Sequence, residues 1–335
     1  MFNKVLYKKQ YHSIDISKSK FLITGGAGFI GSNLVEYLLK FNAGLVRVVD
    51  DLSNGYFENI QRFLDFPNFE FINGDIRNFE TCKAVVKDID YVSHQAALGS
   101  VPRSIKDPIT SNEVNITGFL NMLTASKESN TLKRFVFAAS SSTYGDIASS
   151  PKVEGTEGKT LSPYAVTKLV NELYADVFSK VYGFNTIALR YFNVFGPNQN
   201  PKNPYAAVIP IFATKIISNE SPEIYGDGCT SRDFTFVENV VQANIKAFEY
   251  DSLKKFEVFN IACGETTSLN QLVQLLNKLN KSKLNPIYKN ERPGDIKNSF
   301  ADITKACEML GYQPTYKFEE GLSITFNHLK FNCNV

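Results

Sequence analysis

Short apolar runs alternate with amphipathic stretches along the first 190 residues of the chain. Short apolar runs are typical of buried parallel strands, and apolar positions three or four apart are typical of helices packed on a sheet. The alternation therefore predicts a doubly wound α/β fold around a parallel sheet. The predicted strands are residues 21–24, 45–49, 69–73, 91–95, 135–139 and 187–190, and the predicted helices are residues 32–40, 112–128 and 164–182.

After residue 190 this regular alternation stops. Four prolines between positions 197 and 210, and several asparagines among residues 193–203, interrupt any periodic element. Periodic pieces return only at 212–217, 236–250, 258–262 and 268–279. We therefore expect an N-terminal extension (1–19), a doubly wound domain (20–190) and a smaller mixed α/β C-terminal lobe (191–335). Some segments of this lobe should return to the sheet.

A glycine-rich turn joins the first predicted strand to the first predicted helix, with Gly25, Gly28 and Gly31 three residues apart. A glycine motif between a strand and a helix is typical of a dinucleotide site. Gly25 permits the tight turn, Gly28 lets the backbone approach a pyrophosphate, and Gly31 allows close helix packing. Asp50, at the end of the second strand, can bind the adenosine ribose and repel a 2′-phosphate. The motif predicts NAD, not NADP.

Tyr164 and Lys168 lie one helical turn apart. Ser162 is a good N-cap and Pro163 a good first helical residue, so a helix should begin there. A spacing of four places the phenol and the ammonium on one face, and a nearby cation would lower the pKa of the tyrosine. The pair is then a candidate general base with its activating cation. By itself the pair is a weak signal, because most such pairs are ordinary helix surface.

Composition excludes several classes of protein. A net charge of +2 in 335 residues gives no reason to expect a nucleic acid or an acidic membrane as partner. Five scattered cysteines and three distant histidines suggest reduced thiols in a cytoplasmic protein, without a disulfide framework or a metal centre. No apolar run is long enough to span a membrane, and residues 1–19 lack the apolar region of a signal peptide.

The glycine turn, the serine cluster at 140–142 and the Tyr-x-x-x-Lys pair together resemble the extended short-chain dehydrogenase/reductase superfamily. The match runs from about residue 20 to about residue 330. More narrowly, the chain resembles NAD-dependent nucleotide-sugar epimerases, in particular bacterial 4-epimerases of UDP-N-acetylglucosamine or its uronic acid. The resemblance implies a Rossmann domain, tightly bound NAD, a UDP-sugar substrate and a homodimer built as a four-helix bundle. Such enzymes commonly supply surface polysaccharides such as O-antigen.

The resemblance also implies roles for single residues. Tyr164 would be the general base, Lys168 would hold the nicotinamide ribose, and Ser140, Ser141 and Ser142 would contact the reacting sugar. The implied cofactor-binding residues are Gly25, Gly28, Phe29, Ile30, Gly31, Asp50, Asn54, Gly55, Asp75, Ile76, Gln95, Ala96, Ala97, Asn115, Tyr164 and Lys168. The implied substrate-binding residues are Arg103, Ser142, Tyr164, Asn193, Val208, Glu223, Tyr225, Arg232, Arg292, Asp295 and Ser299. From the residues alone, the serines could be a polar strand end, and Asp75-Ile76 a plain turn.

Ser299 aligns with a gate position that is tyrosine in epimerases restricted to unacetylated hexoses. A small side chain leaves room for a 2-acetamido group. The implied reaction is therefore reversible C4 epimerisation of UDP-GlcNAc, UDP-GalNAc or the matching uronic acids through a transient 4-keto sugar. The choice between the neutral and the carboxylated sugar stays open.

Three other activities are compatible with the same fold. A nucleotide-sugar 4,6-dehydratase needs an Asp-Glu pair where this chain has Ser141-Ser142. A UDP-glucuronate decarboxylase also passes through a 4-keto intermediate. A redox-silent NAD-binding sensor should lose Tyr164 or Lys168, and this chain keeps both.

Overall fold

Seven parallel strands form the central sheet within the described part of the chain. The computed structural model describes residues 6–201, 203, 206–251, 254–291 and 298–333. In chain order the strands are β1 (Lys20–Thr24), β2 (Leu45–Asp50), β3 (Phe69–Asn73), β4 (Tyr91–His94), β5 (Arg134–Ser140), β6 (Thr186–Tyr191), β7 (Val194–Phe195), β8 (Glu223–Tyr225), β9 (Ser231–Arg232), β10 (Thr235–Phe236), β11 (Phe256–Ile261), β12 (Thr267–Ser268), β13 (Ile287–Lys289) and β14 (Asn298–Ser299). The central sheet has the order β11-β6-β5-β4-β1-β2-β3. The predicted Rossmann-type fold is confirmed.

Helices cover both faces of this sheet. They are α1 (Phe29–Lys40), α2 (Glu58–Gln61), α3 (Phe79–Val86), α4 (Val101–Lys106), α5 (Pro108–Asn112), α6 (Phe119–Glu128), α7 (Pro163–Tyr182), α8 (Val208–Ile217), α9 (Val237–Glu249), α10 (Leu269–Asn280), α11 (Thr304–Leu310) and α12 (Phe318–Cys333). Successive residues of β1 pack in different parts of the hydrophobic core. Ile23 packs in the cluster that contains residues of α1 and α9, and Leu22 packs in the cluster that contains residues of α3 and α6. Burial on both faces explains why the strands are continuous apolar runs.

The helix predicted at 112–128 is interrupted in the structure. Its first part is the end of α5, followed by a π-helical turn (Glu113–Gly118) and then α6. A Cβ on Gly118 would lie 2.6 Å from Cδ1 of Ile76, so the turn packs directly on the loop after β3. Asn115 points inward and bonds the backbone of Leu98. The apolar pattern is the same for either kind of turn, and the difference comes from these long-range contacts.

The start of α7 agrees with the sequence. The hydroxyl of Ser162 accepts a hydrogen bond from the amide of Ala165 at 3.1 Å, and Pro163 is the first helical residue. Gly183 ends the helix in the left-handed conformation, with φ of 65°. These local signals fix where the Tyr164 and Lys168 side chains leave the helix.

The C-terminal part of the chain adds three small sheets and one strand of the central sheet. The small sheets are β10-β7, β12-β9-β14 and β13-β8. Strand β11 pairs with β6 and extends the central sheet, while α9 packs on it. The parallel pairing of β14 with β9 places Ser299 opposite Arg232. Two predicted substrate-binding residues, 67 positions apart in the sequence numbering, are thus neighbours in one sheet.

Candidate active site

A cavity of about 550 Å³ runs along the carboxyl edge of the sheet, from the end of β3 to the end of β6. Loops after parallel strands meet at this edge, which is where open α/β sheets bind ligands. The predicted residues that line it are Gly25, Gly28, Phe29, Ile30, Gly31, Asp50, Asn54, Gly55, Asp75, Ile76, Gln95, Ala96, Ala97, Ser140, Ser141, Ser142, Tyr164, Lys168 and Asn193. The structure therefore brings the predicted nucleotide and catalytic residues into one cavity.

The glycine turn forms the middle of this cavity. Gly25 has φ of 67°, donates its amide to the Val49 carbonyl at 2.8 Å, and has no room for a Cβ, which would lie 2.7 Å from the Ala96 amide nitrogen. A Cβ on Gly31 would collide with the carbonyl oxygen of Gly25. Gly28 differs, because within 4 Å its Cβ would meet only that same oxygen. The backbone at Gly28 is therefore open to the cavity, as close approach of a pyrophosphate requires.

Asp50 connects the glycine turn to the loop after β2. Its carboxylate accepts hydrogen bonds from the Ala27 amide at 3.0 Å and from the Leu52 amide at 2.9 Å. A Cβ on Gly55 would lie 2.9 Å from both carboxylate oxygens. Burial raises the pKa of Asp50, and the two backbone amides oppose this effect. The carboxylate is held rigidly at the position where a ribose diol can donate to it.

The next acidic residue, Asp75, lies in the turn after β3. Arg77 binds its carboxylate at 2.7 Å, and this hydrogen-bonded pair lowers the pKa of Asp75. The amide of Asn121 donates to the carbonyl of Ile76 at 3.1 Å, which fastens the turn to α6. Asp75 and Ile76 therefore lie in an ordered turn at the far end of the cavity from Tyr164.

Three side chains from β5 and α7 form the catalytic candidate. The hydroxyl of Ser140 accepts from the Ser142 hydroxyl at 2.9 Å and faces the Tyr164 phenol, whose pKa it lowers as a hydrogen-bonding neighbour. The amide of Tyr164 donates to the Ser104 hydroxyl at 3.0 Å. The ammonium of Lys168, only 3% exposed, donates to the Ala138 carbonyl at 2.7 Å. The arrangement combines a phenol, a hydroxyl partner and a buried ammonium.

The expected lowering of the Tyr164 pKa is wrong for this structure. The phenol faces the cavity but is enclosed by protein, and this burial raises its pKa, whereas the hydrogen bond from Ser140 lowers it. The Lys168 ammonium lies 5.9 Å from the centre of the tyrosine ring and is engaged by Ala138. Burial also lowers the pKa of Lys168 to about 8, and Glu172 opposes this. Helical spacing alone could not predict either effect.

Sequence reasoning missed Tyr191, which ends β6 and lines the cavity. Its hydroxyl accepts from the amide groups of Gln95 at 3.0 Å and Asn244 at 2.9 Å, and burial raises its pKa to about 12. Ser93 completes this buried polar network by donating to Asn244 at 3.0 Å. The position of Tyr191 at the carboxyl end of a predicted strand was the available signal, but only the neighbouring Asn193 was selected.

The segments after β6 and around β9 meet beside the catalytic group. Asn193, with φ of 37°, donates to the Asp233 carbonyl at 3.0 Å and to the Ser299 hydroxyl at 3.4 Å. The Asp233 carboxylate accepts from the amides of Cys263 and Gly264 at 2.9 and 3.1 Å, and burial raises its pKa to about 7. Asp233 was not selected from the sequence, and in the structure its carboxylate binds backbone amides and does not line the cavity.

Other predicted residues lie away from the lining of the cavity. Asn115 bonds the backbone of Leu98 and the Thr167 hydroxyl, so it supports the loop after β4. Arg103 donates to the Asn54 side chain at 2.9 Å, on the nucleotide side of the cavity. Val208, Glu223, Tyr225, Arg232 and Ser299 lie in elements that follow β6 in the chain and are not among the residues that line the cavity. Arg292 and Asp295 lie outside the described residues.

The residues present fit a dinucleotide. The open backbone at Gly28 suits a pyrophosphate, the fixed carboxylate of Asp50 suits a ribose diol, and the ammonium of Lys168 lies at the other end of the cavity. The described residues contain no group of three or more His, Cys, Asp or Glu side chains able to hold a metal ion. Among the helices the structure describes, none has the length and apolar character to cross a membrane.

Fold and site together define an NAD-binding α/β protein of the short-chain dehydrogenase/reductase type. Residues 22–325 match the sequence model of the family described as GDP-mannose 4,6 dehydratase, and the chain belongs to this family of nucleotide-sugar enzymes. Its relatives include a putative UDP-glucose 4-epimerase of Methanocaldococcus jannaschii, 36% identical over 93% of this chain and 98% of the relative.

Solved structures give the same result. UDP-N-acetylglucosamine 4-epimerase from Methanobrevibacter ruminantium M1, in complex with UDP-N-acetylmuramic acid, is 39% identical with a TM-score of 0.88, over 95% of this chain and 99% of that one. UDP-glucuronic acid 4-epimerase from Bacillus cereus, in complex with UDP-glucuronic acid and NAD, is 32% identical with a TM-score of 0.86, over 93% and 99%. Both neighbours are thus UDP-sugar 4-epimerases, and the Bacillus cereus enzyme was solved with NAD bound.

The buried ammonium of Lys168 predicts a pH dependence of stability in protein stripped of nucleotide. Its pKa is about 8 in the folded chain and about 10.4 in an unfolded one. Between these values the unfolded chain binds more protons, so the free energy of unfolding should rise with pH, by up to about 3 kcal/mol.

Urea unfolding of wild type and Lys168→Met between pH 7 and 10.5 measures this contribution. The difference between the two proteins should move in favour of the wild type as the pH rises from 7 to 10.5, most steeply between about pH 8 and 10. Parallel curves across the whole range would contradict the assignment.

Proposed function

We propose that this protein is a 4-epimerase of UDP-N-acetylhexosamines or of the matching uronic acids, with NAD as its tightly bound cofactor. One observation carries the proposal: Tyr164, Ser140 and Lys168 meet at the end of β5, in the same cavity as the glycine turn. The similarity to UDP-sugar 4-epimerases over more than nine-tenths of the chain supports nucleotide-sugar 4-epimerase activity. The preference for an acetylated sugar goes beyond this similarity and is our own proposal.

NAD, when bound, would supply the hydride acceptor for oxidation at the sugar C4 and the hydride donor for its reduction. The residues that would hold it are the turn at Gly25, Gly28 and Gly31, the carboxylate of Asp50, and the ammonium of Lys168. This division leaves the other end of the cavity, around Ser142 and Asn193, for the sugar.

Tyr164 moves the proton. Its phenolic oxygen takes the proton of the C4 hydroxyl as the 4-keto sugar forms, and returns it when C4 is reduced. Because burial raises the pKa of Tyr164, the phenolate needs support, and Ser140 supplies it through the hydrogen bond that lowers this pKa. Ser142 donates to the Ser140 oxygen, so it orients the serine that contacts the tyrosine.

The nucleotide half of the substrate is assigned to the C-terminal lobe. Asn193 and Arg232 are proposed to bind the diphosphate, since amide and guanidinium groups donate well to phosphate oxygens. Backbone groups of Glu223 and Tyr225, with Val208 beneath, are proposed to hold the uracil. Arg292 and Asp295 complete the predicted set and belong to the segment outside the described residues. The bound UDP then tethers the 4-keto sugar while the sugar rotates to present its other face.

A 4,6-dehydratase is the second candidate, because the matching family is described by that activity. Protonation and deprotonation at C6 and C5 would require carboxyl groups beside the tyrosine. Among the described residues, the carboxylates that line the cavity are Asp50, Asp51 and Asp75, which follow β2 and β3 at the nucleotide end. Ser141 and Ser142 occupy the positions beside Ser140. This arrangement favours chemistry restricted to C4.

Incubation of the purified protein with UDP-GlcNAc, followed by NMR of the anomeric protons, tests the proposal. We expect UDP-GalNAc to appear without loss of a sugar oxygen, and Tyr164→Phe to lower the rate by about 100-fold or more because the proton acceptor is lost. The same assay on UDP-GlcNAcA ranks the neutral and carboxylated sugars. A 4-keto-6-deoxy product, or near-normal activity of Tyr164→Phe, would contradict the proposal.

Ser299 is proposed to set the size of the sugar that fits. Its hydroxyl contacts Asn193, which lines the cavity, so a larger side chain on β14 would extend towards the sugar. We expect Ser299→Tyr to lower kcat/KM for UDP-GlcNAc by about tenfold or more relative to UDP-glucose, because the acetamido group would collide with the ring.

Ser299→Ala is the matched control for this experiment. It keeps the small volume and removes only the hydroxyl, so the ratio of the two substrates should hardly change. A Ser299→Tyr variant that keeps the wild-type ratio would show that β14 does not contact the acetamido group.

We also propose that the protein forms a homodimer through α7 and its neighbours. Three apolar side chains on α7 at spacings of four, Leu173, Val177 and Val181, are 57%, 50% and 64% exposed. Ile109, on α5, which contacts α7, is 72% exposed. An apolar stripe with helical spacing on two adjacent helices suits a second copy of the same stripe, as in a four-helix bundle. The proposed setting is cytoplasmic, in the supply of sugars for surface polysaccharides.

Sedimentation analysis tests the dimer. The wild type should have twice the mass of one chain, and Val177→Asp should shift it to a single chain by placing a carboxylate in the apolar contact. Leu64→Asp is the control, because Leu64 is similarly exposed, at 46%, but lies after α2. A monomeric wild type, or a Val177→Asp dimer, would contradict the proposal.

A further inference from the structure

Residues 6–16, which we call the N-terminal strap, lie outside the family match, which begins at residue 22. They form neither helix nor strand, yet Leu6 and Tyr7 are fully buried and Tyr11 and Ile16 nearly so. A segment without backbone pairing of its own is buried only where other elements satisfy its polar groups. The partners of the strap therefore show what it does.

The first partner is Asn33 of helix α1. The Tyr7 hydroxyl donates to the Asn33 side-chain oxygen at 2.6 Å. The amide nitrogen of Asn33 then donates to the carbonyls of Phe29 at 2.9 Å and Pro197 at 3.0 Å. Because Tyr7 occupies the oxygen of this fully buried amide, it fixes the orientation in which the nitrogen reaches Pro197. Through Asn33, the strap is thereby hydrogen-bonded to the segment that follows Asn193.

The second partner is Glu238, a fully buried carboxylate in the first turn of α9. It accepts from the Tyr7 amide at 3.1 Å and the Tyr11 hydroxyl at 2.7 Å. Tyr7 has φ of 54°, a conformation uncommon for residues other than glycine, and its amide and its hydroxyl bond to different elements. A buried carboxylate requires such donors. Glu238 follows Arg232 by six residues.

The two partners are connected to the two segments proposed to bind the substrate diphosphate. Asn33 bonds the segment after β6 through Pro197, and Glu238 belongs to the segment that begins at Arg232. Residues 193–198 and 232–238 contain the parallel pair β7 and β10, so they form one unit. Asn198 donates to the Ser32 hydroxyl at 3.1 Å, which adds a direct contact of this unit with α1. We propose that Tyr7 and Tyr11 are positioning residues that hold this unit against α1, and thus set the geometry of substrate binding. This inference rests on the proposed function.

The other end of the strap provides a matched control. Ser13 donates from its amide at 2.8 Å and from its hydroxyl at 2.7 Å to Glu249, the last residue of α9. This contact joins the strap to the same helix at the end remote from Glu238. Loss of the Ser13 hydroxyl should therefore leave the substrate segments in place.

Three full-length variants test the proposal: Tyr7→Phe, Tyr11→Phe and Ser13→Ala. Each removes one hydroxyl and keeps the backbone amides, and the phenylalanines keep the ring packing. We expect Tyr7→Phe and Tyr11→Phe to raise KM for UDP-GlcNAc by about three- to tenfold, the effect of one buried hydrogen bond. The kcat and the NAD content of the purified protein should stay near wild type. Ser13→Ala should change none of these quantities.

Hydrogen exchange followed by mass spectrometry gives a readout that needs no substrate. In Tyr7→Phe, amides of residues 193–201 and 232–238 should exchange faster, while the glycine turn stays unchanged. Unchanged exchange there in both tyrosine variants, or a uniform increase across the chain with kcat falling as KM rises, would overturn the proposal. If the wild type epimerises no UDP-sugar, the proposed function fails, and the exchange comparison alone decides on the strap.

Discussion

At Gly25 and Gly31, between β1 and α1, the backbone passes so close to neighbouring backbone that no side chain fits. A Cβ would meet the Ala96 amide at Gly25 and the Gly25 carbonyl at Gly31. Because of this contact, α1 begins directly against the end of β1, and the unpaired amides of its first turn face the cavity. The same closeness brings the Ala27 amide within reach of Asp50. The carboxyl ends of β1, β2 and β4 thereby become one surface along which a dinucleotide can lie.

At the other end of the cavity, geometry depends on buried charges. Lys168 lies one helical turn before Glu172, whose charge partly offsets the lowering of the lysine pKa by burial. Arg190 of β6 binds Glu172 at 2.9 and 2.6 Å and also contacts Glu157. Removing one member of such a network leaves the others as uncompensated buried charges, which is strongly destabilising. The ion pair between Arg190 and Glu172 fastens α7 to the sheet. The helix that carries Tyr164 is therefore held by two charged residues that do not line the cavity.

The central strands and the start of α7 could be predicted because their signals are local: apolar runs, and an N-cap at Ser162. The meeting of the glycine turn and Asp50 in one cavity could be predicted because strand, turn and helix are consecutive. Features that depend on distant contacts could not. The π-helical turn reflects the packing of Gly118 on Ile76, the raised pKa of Tyr164 reflects enclosure by segments far apart in the sequence, and the strap around Tyr7 is bound by α1 and α9. In each case the sequence contains the residues but does not show which distant residues they contact.

The backbone around Ser299 is held without the help of its side chain. The Asp233 amide donates to the Ser299 carbonyl at 2.7 Å, and the Asp233 carboxylate accepts from Ala301 at 3.4 Å as well as from Cys263 and Gly264. Main-chain bonds of this kind do not depend on which residue type occupies position 299. Natural selection can therefore exchange that residue at little cost to the surrounding backbone. The gate role proposed for position 299 would then make a single codon change a short evolutionary route between enzymes that accept different sugars.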